Sequence, residues 1–216
     1  MARSAVGVPP ELARRSPSVF RPRDLTGIYA HPRGEISRLV RTGAVRRLAT
    51  GYYTLVPQHR WGDRTWFPTP HATALGIGQA DYGIADVALM GVSAARVHSA
   101  IPRAVAVAVV AVPKQRPALT IDGARLVFVQ RDVSRLDVER TTTELGDGWV
   151  TTVEQTLLDL AARPELGGLA RADTEEAIRA LAARADWSSL RTLAEQQHRP
   201  AALETVRALA GSQDRA

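Results

Sequence analysis

Between Pro32 and Val56 the hydrophobic period of this chain changes from that of a helix to that of a strand, and Gly43 marks the change. Before Gly43, Ile36, Leu39 and Val40 fall at i, i+3 and i+4, the spacing of a buried helical stripe. Pro32 suits the first turn of that helix, and Gly43 suits its C-terminal cap. The opposite face carries Arg33, Ser37, Arg38, Arg41 and Thr42. After Gly43, Val45-Arg46-Arg47-Leu48 and Tyr52-Tyr53-Thr54-Leu55-Val56 flank Ala49-Thr50-Gly51, two β-prone runs around a short turn. That pattern is a hairpin. Strand alternation with Leu48 and Leu55 assigns Tyr53 to the core and leaves Tyr52 open.

Upstream, Pro10 begins a short helix through Arg15. Val19 to Tyr29 reads as a second helix, with Phe20, Leu25 and Ile28 apolar and Pro22 in its first turn. Three helices followed by a two-stranded wing make a winged helix-turn-helix over residues 1–58. Pro57, Gly62, Pro68 and Pro70 then interrupt any regular pattern, so residues 59–70 form a connecting segment. Its Trp61, Trp66 and Phe67 are expected to pack on a neighbour, because clustered aromatics seldom stay solvated.

Residues 71–216 read as a C-terminal α+β domain, a small mixed sheet surrounded by helices, and the whole chain is α+β. Helices are expected at Thr69–Gln79 and Val92–Ala100, and a Val/Ala strand at Arg103–Val112. A hairpin follows, Leu119–Ile121 and Arg125–Val129 around Asp122-Gly123. A short strand at Trp149–Thr151 precedes helices at Val153–Ala162, Ala172–Ala183, Ser188–Gln197 and Pro200–Leu209.

Charge separates the two parts. The chain carries a net charge of +6. Residues 1–58 hold ten Arg against only Glu11, Asp24 and Glu35, whereas the remainder holds 18 basic and 19 acidic residues. An excess confined to one module points to a polyanionic partner for it. An Arg-bearing helix fits the major groove of DNA, where Arg pairs with guanine O6 and N7 and Ser or Thr reaches phosphates. Arg46 and Arg47 lie on the wing, where phosphates or a minor groove would run. The expected DNA-binding set is Arg33, Ser37, Arg38, Arg41, Thr42, Arg46, Arg47 and Thr50. The competing reading is a solvated charged face used for protein contacts; the near absence of acids from this quarter favours DNA.

Other classes find little support. The chain has no Cys, and its five His include no i, i+4 pair of the kind a helical metal site uses. The longest apolar run, Ala104–Val112, is nine residues, short of the roughly 20 of a membrane helix. Arg3 is followed by Pro9, Pro10 and Glu11, unlike a secretory leader, so a cytoplasmic protein is expected. Gly76-Ile-Gly78 with Gly83 lacks the third glycine of a dinucleotide fingerprint. Lys114 and Asp122 lack the acidic-x-Lys pairing of a nuclease. Asp173, Glu175 and Glu176 suit a first helical turn. Ser93, Ser99 and Ser134 have no evident base and acid. No catalytic residue, metal or cofactor is expected.

The string Leu39-Val-Arg-Thr-Gly43, with Leu48-Ala-Thr-Gly-Tyr-Tyr53 and Val56-Pro57, resembles the winged-helix domain of AbiEi-type antitoxins of abortive-infection toxin–antitoxin pairs, mycobacterial relatives included. Ser93-Ala-Ala-Arg-Val-His98, the Val-rich strand ending at Pro113, and Val150-Thr-Thr-Val-Glu-Gln-Thr-Leu-Leu-Asp-Leu-Ala161 resemble segments of that family's C-terminal domain, extending the likeness over residues 19–210. The Pro-rich residues 5–18 have no clear counterpart in it. The resemblance implies binding to inverted repeats upstream of the protein's own operon, repression of that operon, and neutralisation of a nucleotidyltransferase-class toxin. It places DNA contact on Arg33, Ser37, Arg38, Arg41, Arg46, Arg47 and Thr50, and gives the C-terminal domain a share in neutralisation. Within the C-terminal string, Asp159 is expected to be a buried, hydrogen-bonded acid. Two alternatives stand beside this: a stand-alone regulator with a ligand- or protein-sensing C-terminal domain, and an enzyme that modifies a toxin.

Overall fold

The computed structural model describes residues 7–102 and 105–211. The helix bearing the arginine face, α2, runs Pro32–Arg41, and its end shows why Gly43 is there. Gly43 takes φ +76°. Its N–H bonds the carbonyl of Val40 at 3.1 Å, and the Ala44 N–H reaches back to Leu39 at 3.0 Å. This pair of bonds closes a helix only through a left-handed residue, which glycine adopts without steric cost. The chain thereby reverses directly into β2 (Val45–Ala49) and β3 (Tyr52–Leu55), an antiparallel hairpin.

Upstream, α1 spans Pro10–Ala13, but the helix expected over Val19–Tyr29 does not form. Val19–Phe20 is instead a strand, β1, pairing antiparallel with β3 through Val19–Thr54 and Phe20–Tyr53. Arg21, preceding Pro22, is held extended at φ −113°, ψ 159°, as the proline ring requires of its predecessor. Only a single 3-10 turn, Pro22–Leu25, remains of the helix. The result is a three-stranded sheet in the order β1-β3-β2, with α2 packed beside it. Leu12, Phe20, Leu25, Ile36, Leu39, Ala44 and Val45 form its core. Tyr53 packs against that core and stacks on Phe20, with ring centroids 6.3 Å apart. Val40, expected in the buried stripe, is 37% exposed; α2 docks along its Ile36–Leu39 edge and turns Val40 to the flank of Arg33.

The connecting segment is packed, as its aromatics require. Trp61 lies against the N-terminal core and donates its indole N–H to the Val56 carbonyl at 2.8 Å. Trp66 and Phe67 lie against the next core.

The remainder is a six-stranded mixed sheet in the order β6-β7-β5-β4-β9-β8. Its strands are β4 (Ala88–Leu89), β5 (Val107–Val112), β6 (Leu119–Ile121), β7 (Ala124–Gln130), β8 (Val138–Thr143) and β9 (Gly146–Thr151). The stretch Arg103–Ala104, where the central strand was expected to begin, lies outside the described residues. Every residue of β5 is buried, because period-two alternation serves both faces: Val107, Val109 and Ala111 join one core, and Ala108, Val110 and Val112 the other. The β6–β7 hairpin turns through Asp122 and Gly123, both at positive φ, as a two-residue turn of this hand demands.

On one face lie α4 (Val92–Val97), α5 (Val153–Ala162), α6 (Arg171–Ala182), α7 (Trp187–Gln196) and α8 (Pro200–Gly211). On the other lies α3 (Pro70–Tyr82), together with the N-terminal module through Val19 and Leu48. Neighbouring residues of β1 thus enter different cores, Phe20 the module's own and Val19 the one it shares with α3. The Gly76-Ile-Gly78 string sits inside α3, where glycines permit close approach: a Cβ on Gly76 would stand 2.5 Å from Val19 Cγ2. No helix among the described residues is long and apolar enough to cross a membrane.

Candidate nucleic-acid interface

With Ile36 and Leu39 buried, α2 presents Arg33, Ser37 and Arg41 to solvent. Arg33 and Arg41 form no ion pair among the described residues. The Ser37 hydroxyl donates to the carbonyl of Arg33 at 2.9 Å, and Thr42 to that of Leu39 at 3.0 Å. Across from α2, the hairpin tip carries Thr50 and Arg47, joined by a guanidinium-to-hydroxyl bond of 2.9 Å. Between α2, the 3-10 turn and the tip lies a cleft of about 600 Å³, walled in part by Arg23, Arg33, Ser37, Thr50, Gly51 and Asp81.

The structure brings some of the expected residues together and separates others. Arg33, Ser37 and Thr50 share the cleft, and Arg41 and Arg47 remain exposed on its elements. Arg38 is half-buried and pairs with Glu35 at 2.9 Å. Arg46 turns to the connecting segment and donates to the Asp63 carbonyl at 2.9 Å.

Sequence reasoning missed three residues at this site. Arg23 lines the cleft with its side chain 72% exposed. Arg21 and Asp81 form its floor, where the Arg21 Nη1 meets Asp81 Oδ1 at 2.5 Å. Asp81 also accepts from the Tyr52 hydroxyl at 2.7 Å and from the Arg116 guanidinium. That guanidinium stacks over Phe128 at 4.3 Å and Tyr52 at 5.7 Å. Burial and the bond to Asp81 push the Tyr52 phenol above its ordinary range, so it stays a donor. One signal was available for Asp81: an acid in the last turn of a helix opposes the dipole and needs a cationic partner.

A serine expected to lack a base does meet one: Ser93 Oγ lies 3.3 Å from His71 Nδ1. Ser93 is fully buried and its Oγ accepts the Val109 N–H at 2.7 Å. Burial, reinforced by Arg96, lowers the His71 pKa to about 4. The pair satisfies buried polar atoms between α3, α4 and β5 and offers no accessible nucleophile. Asp159 is the buried acid expected, accepting from Arg199 at 2.8 Å and Gln155 at 3.3 Å. No cluster of three or more His, Asp or Glu able to hold a metal occurs among the described residues.

A strand, a single helical turn, a second helix bearing the arginines and a hairpin that pairs back on the first strand define a winged-helix module. Residues 8–56, which hold that module, match the family of transcriptional regulators described as AbiEi antitoxins. The match bears out the resemblance carried by the helix and hairpin strings, and it begins at residue 8, so it takes in most of the Pro-rich stretch read as lacking a counterpart. No curated protein matches the chain.

Proposed function

We propose that this protein is a cytoplasmic antitoxin that binds inverted-repeat operator DNA, represses its own operon and counteracts a nucleotidyltransferase-type toxin. In this reading residues 1–58 bind DNA, 59–70 connect, and 71–216 serve neutralisation. The observation that carries it is the set of exposed arginines on α2 and the hairpin that form no ion pair among the described residues, Arg33 in the cleft and Arg41 and Arg47 on the elements that wall it. Arg33, Ser37 and Arg41 enter the major groove, and Arg47 and Thr50 approach the backbone beside it. Arg38, Thr42 and Arg46 flank this surface, and Arg38 gives up Glu35 when it meets DNA.

The test is a titration of the full chain with its own upstream DNA and with a scrambled duplex, at two salt concentrations. Tight binding that prefers the native sequence is expected, with log K against log salt falling by about 0.9 per phosphate neutralised. Equal, weak binding to both duplexes overturns the operator reading. Mass measurement of the toxin after incubation with this protein and nucleotide checks the enzyme alternative, for which an adduct would be the sign.

A further inference from the structure

Where β7 ends, Arg131 faces the junction of α7 and α8 across a cavity of about 570 Å³, whose wall also holds Arg135, Gln197, His198 and Arg199. Two features of this cavity are unexplained by packing. The first is a cation that shares its counter-charge. Arg199 has Asp159, and Arg135 has Asp132 at 3.3 Å. Arg131 has no ion pair of its own among the described residues and shares the field of Asp159 with Arg199, and its Nε is buried without a hydrogen-bond partner. Burial lowers its pKa, Arg199 and Arg163 lower it further, and Asp159 offsets only part of that. An N–H that has lost water and gained no acceptor is costly to hold.

The second feature is backbone strain. His198 sits at φ +53° where α7 ends. Its N–H bonds the Glu195 carbonyl at 3.1 Å and the Arg199 N–H bonds Ala194 at 2.8 Å. This is the closure that uses Gly43 at the end of α2, and there glycine is the relaxed choice. A histidine carried in that conformation at the wall of a cavity marks a position where the imidazole is wanted.

We propose that this cavity binds a small phosphate-bearing ligand, its oxyanion held by the Arg131 fork with His198 and Arg199 beside it. Guanidinium forks match oxyanions bidentately. A phosphate group, with up to two charges and three acceptor oxygens, answers the surplus here better than a carboxylate does, because the single carboxylate of Asp159 stands against Arg131 and Arg199 together. The site lies in the sheet-and-helix part of the chain and is independent of the DNA reading.

The test follows the arginine Nε–Hε signals of the full chain by NMR during titration with inorganic phosphate and, separately, glycerol phosphate, at ionic strength held with chloride. The Arg131 signal is expected to shift saturably at a concentration about ten-fold below that moving Arg33 and Arg41. Arg131→Gln, which breaks no bond of the fold, abolishes the saturable shift of Arg199. His198→Gly weakens binding while raising the thermal midpoint; a purely structural histidine would give the second effect alone. Tighter binding of glycerol phosphate identifies a phosphomonoester as the ligand, and equal binding identifies phosphate itself. Arg131 shifting only in step with Arg33 and Arg41, or Arg131→Gln retaining the saturable response, overturns the proposal.

Discussion

The arginines of the α2 face and those at the packed junctions of the chain are built into opposite surroundings. Arg33 and Arg41 stand in solvent with no ion pair among the described residues, whereas Arg21, Arg116 and Arg199 keep only 16–17% of their side chains exposed and each meets an aspartate. The paired arginines hold elements together: Arg21, just after β1, and Arg116, between β5 and β6, both reach Asp81 on α3, where Tyr52 of the hairpin joins them, and Arg199 locks α8 to α5 through Asp159. Counting arginines therefore says little about binding, while asking which of them has been given a counter-charge separates scaffold from surface. Burial makes the distinction energetic, since an ion pair out of water is costly to break and an exposed charge costs the fold almost nothing.

Asp159→Ala is the harshest test of this contrast. It strands Arg199 beside Arg131, and a loss of about 3–5 kcal/mol is expected in the denaturant midpoint. A change no larger than that of a surface variant would mean the pair is not structural. His71 shows the other way to manage interior charge, which is to give up the proton. Its pKa falls from 6.5 to about 4, so between those values the unfolded chain binds the proton that the native chain refuses. Stability is then full above pH 6.5 and drops as the pH falls toward 4, by as much as about 3 kcal/mol. His71→Gln should flatten that part of the stability profile, as measured by urea denaturation at stepped pH.

Asp81→Asn weakens the lock between hairpin and α3. It should cost roughly 1.5–3 kcal/mol, read from the same midpoint, and operator affinity should fall with it if the hairpin must be held at a fixed angle to α2. At the other end of the scale, Arg41→Ala should leave stability within about 0.5 kcal/mol. In the reading proposed above it still loses about 1–3 kcal/mol of operator binding if Arg41 meets a guanine. A stability loss without an affinity loss would invert the comparison.

What could be read from the sequence was what is local in it. The arginine helix, its glycine cap and the hairpin lie within one short stretch, and their signals are periodicity and turn chemistry. β1 was misread because its pairing partners, Thr54 and Tyr53, are far along the chain, and only that pairing turns an apolar, Pro-containing run into a strand. β8, reading Val-Glu-Arg-Thr-Thr-Thr, escaped notice because an edge strand has one covered side and needs no apolar stripe. At the site, the exposed face of α2 followed from its buried one. The fate of Arg46 did not, because its acceptor is a main-chain oxygen in the connecting segment, and no pattern of side chains encodes that.

The position of β1, with Phe20 in one core and Val19 in the other, has a consequence for how the molecule can be taken apart. Cutting the chain after the hairpin would release a module whose Val19, Leu48, Ala49 and Tyr52 had been seated against α3 and the sheet, and these would become a sticky apolar patch beside its exposed arginines. The same arrangement limits hinging. The N-terminal module cannot swing on the connecting segment as a bead on a string, so any event felt at the large sheet reaches α2 as a tilt of the whole body or not at all.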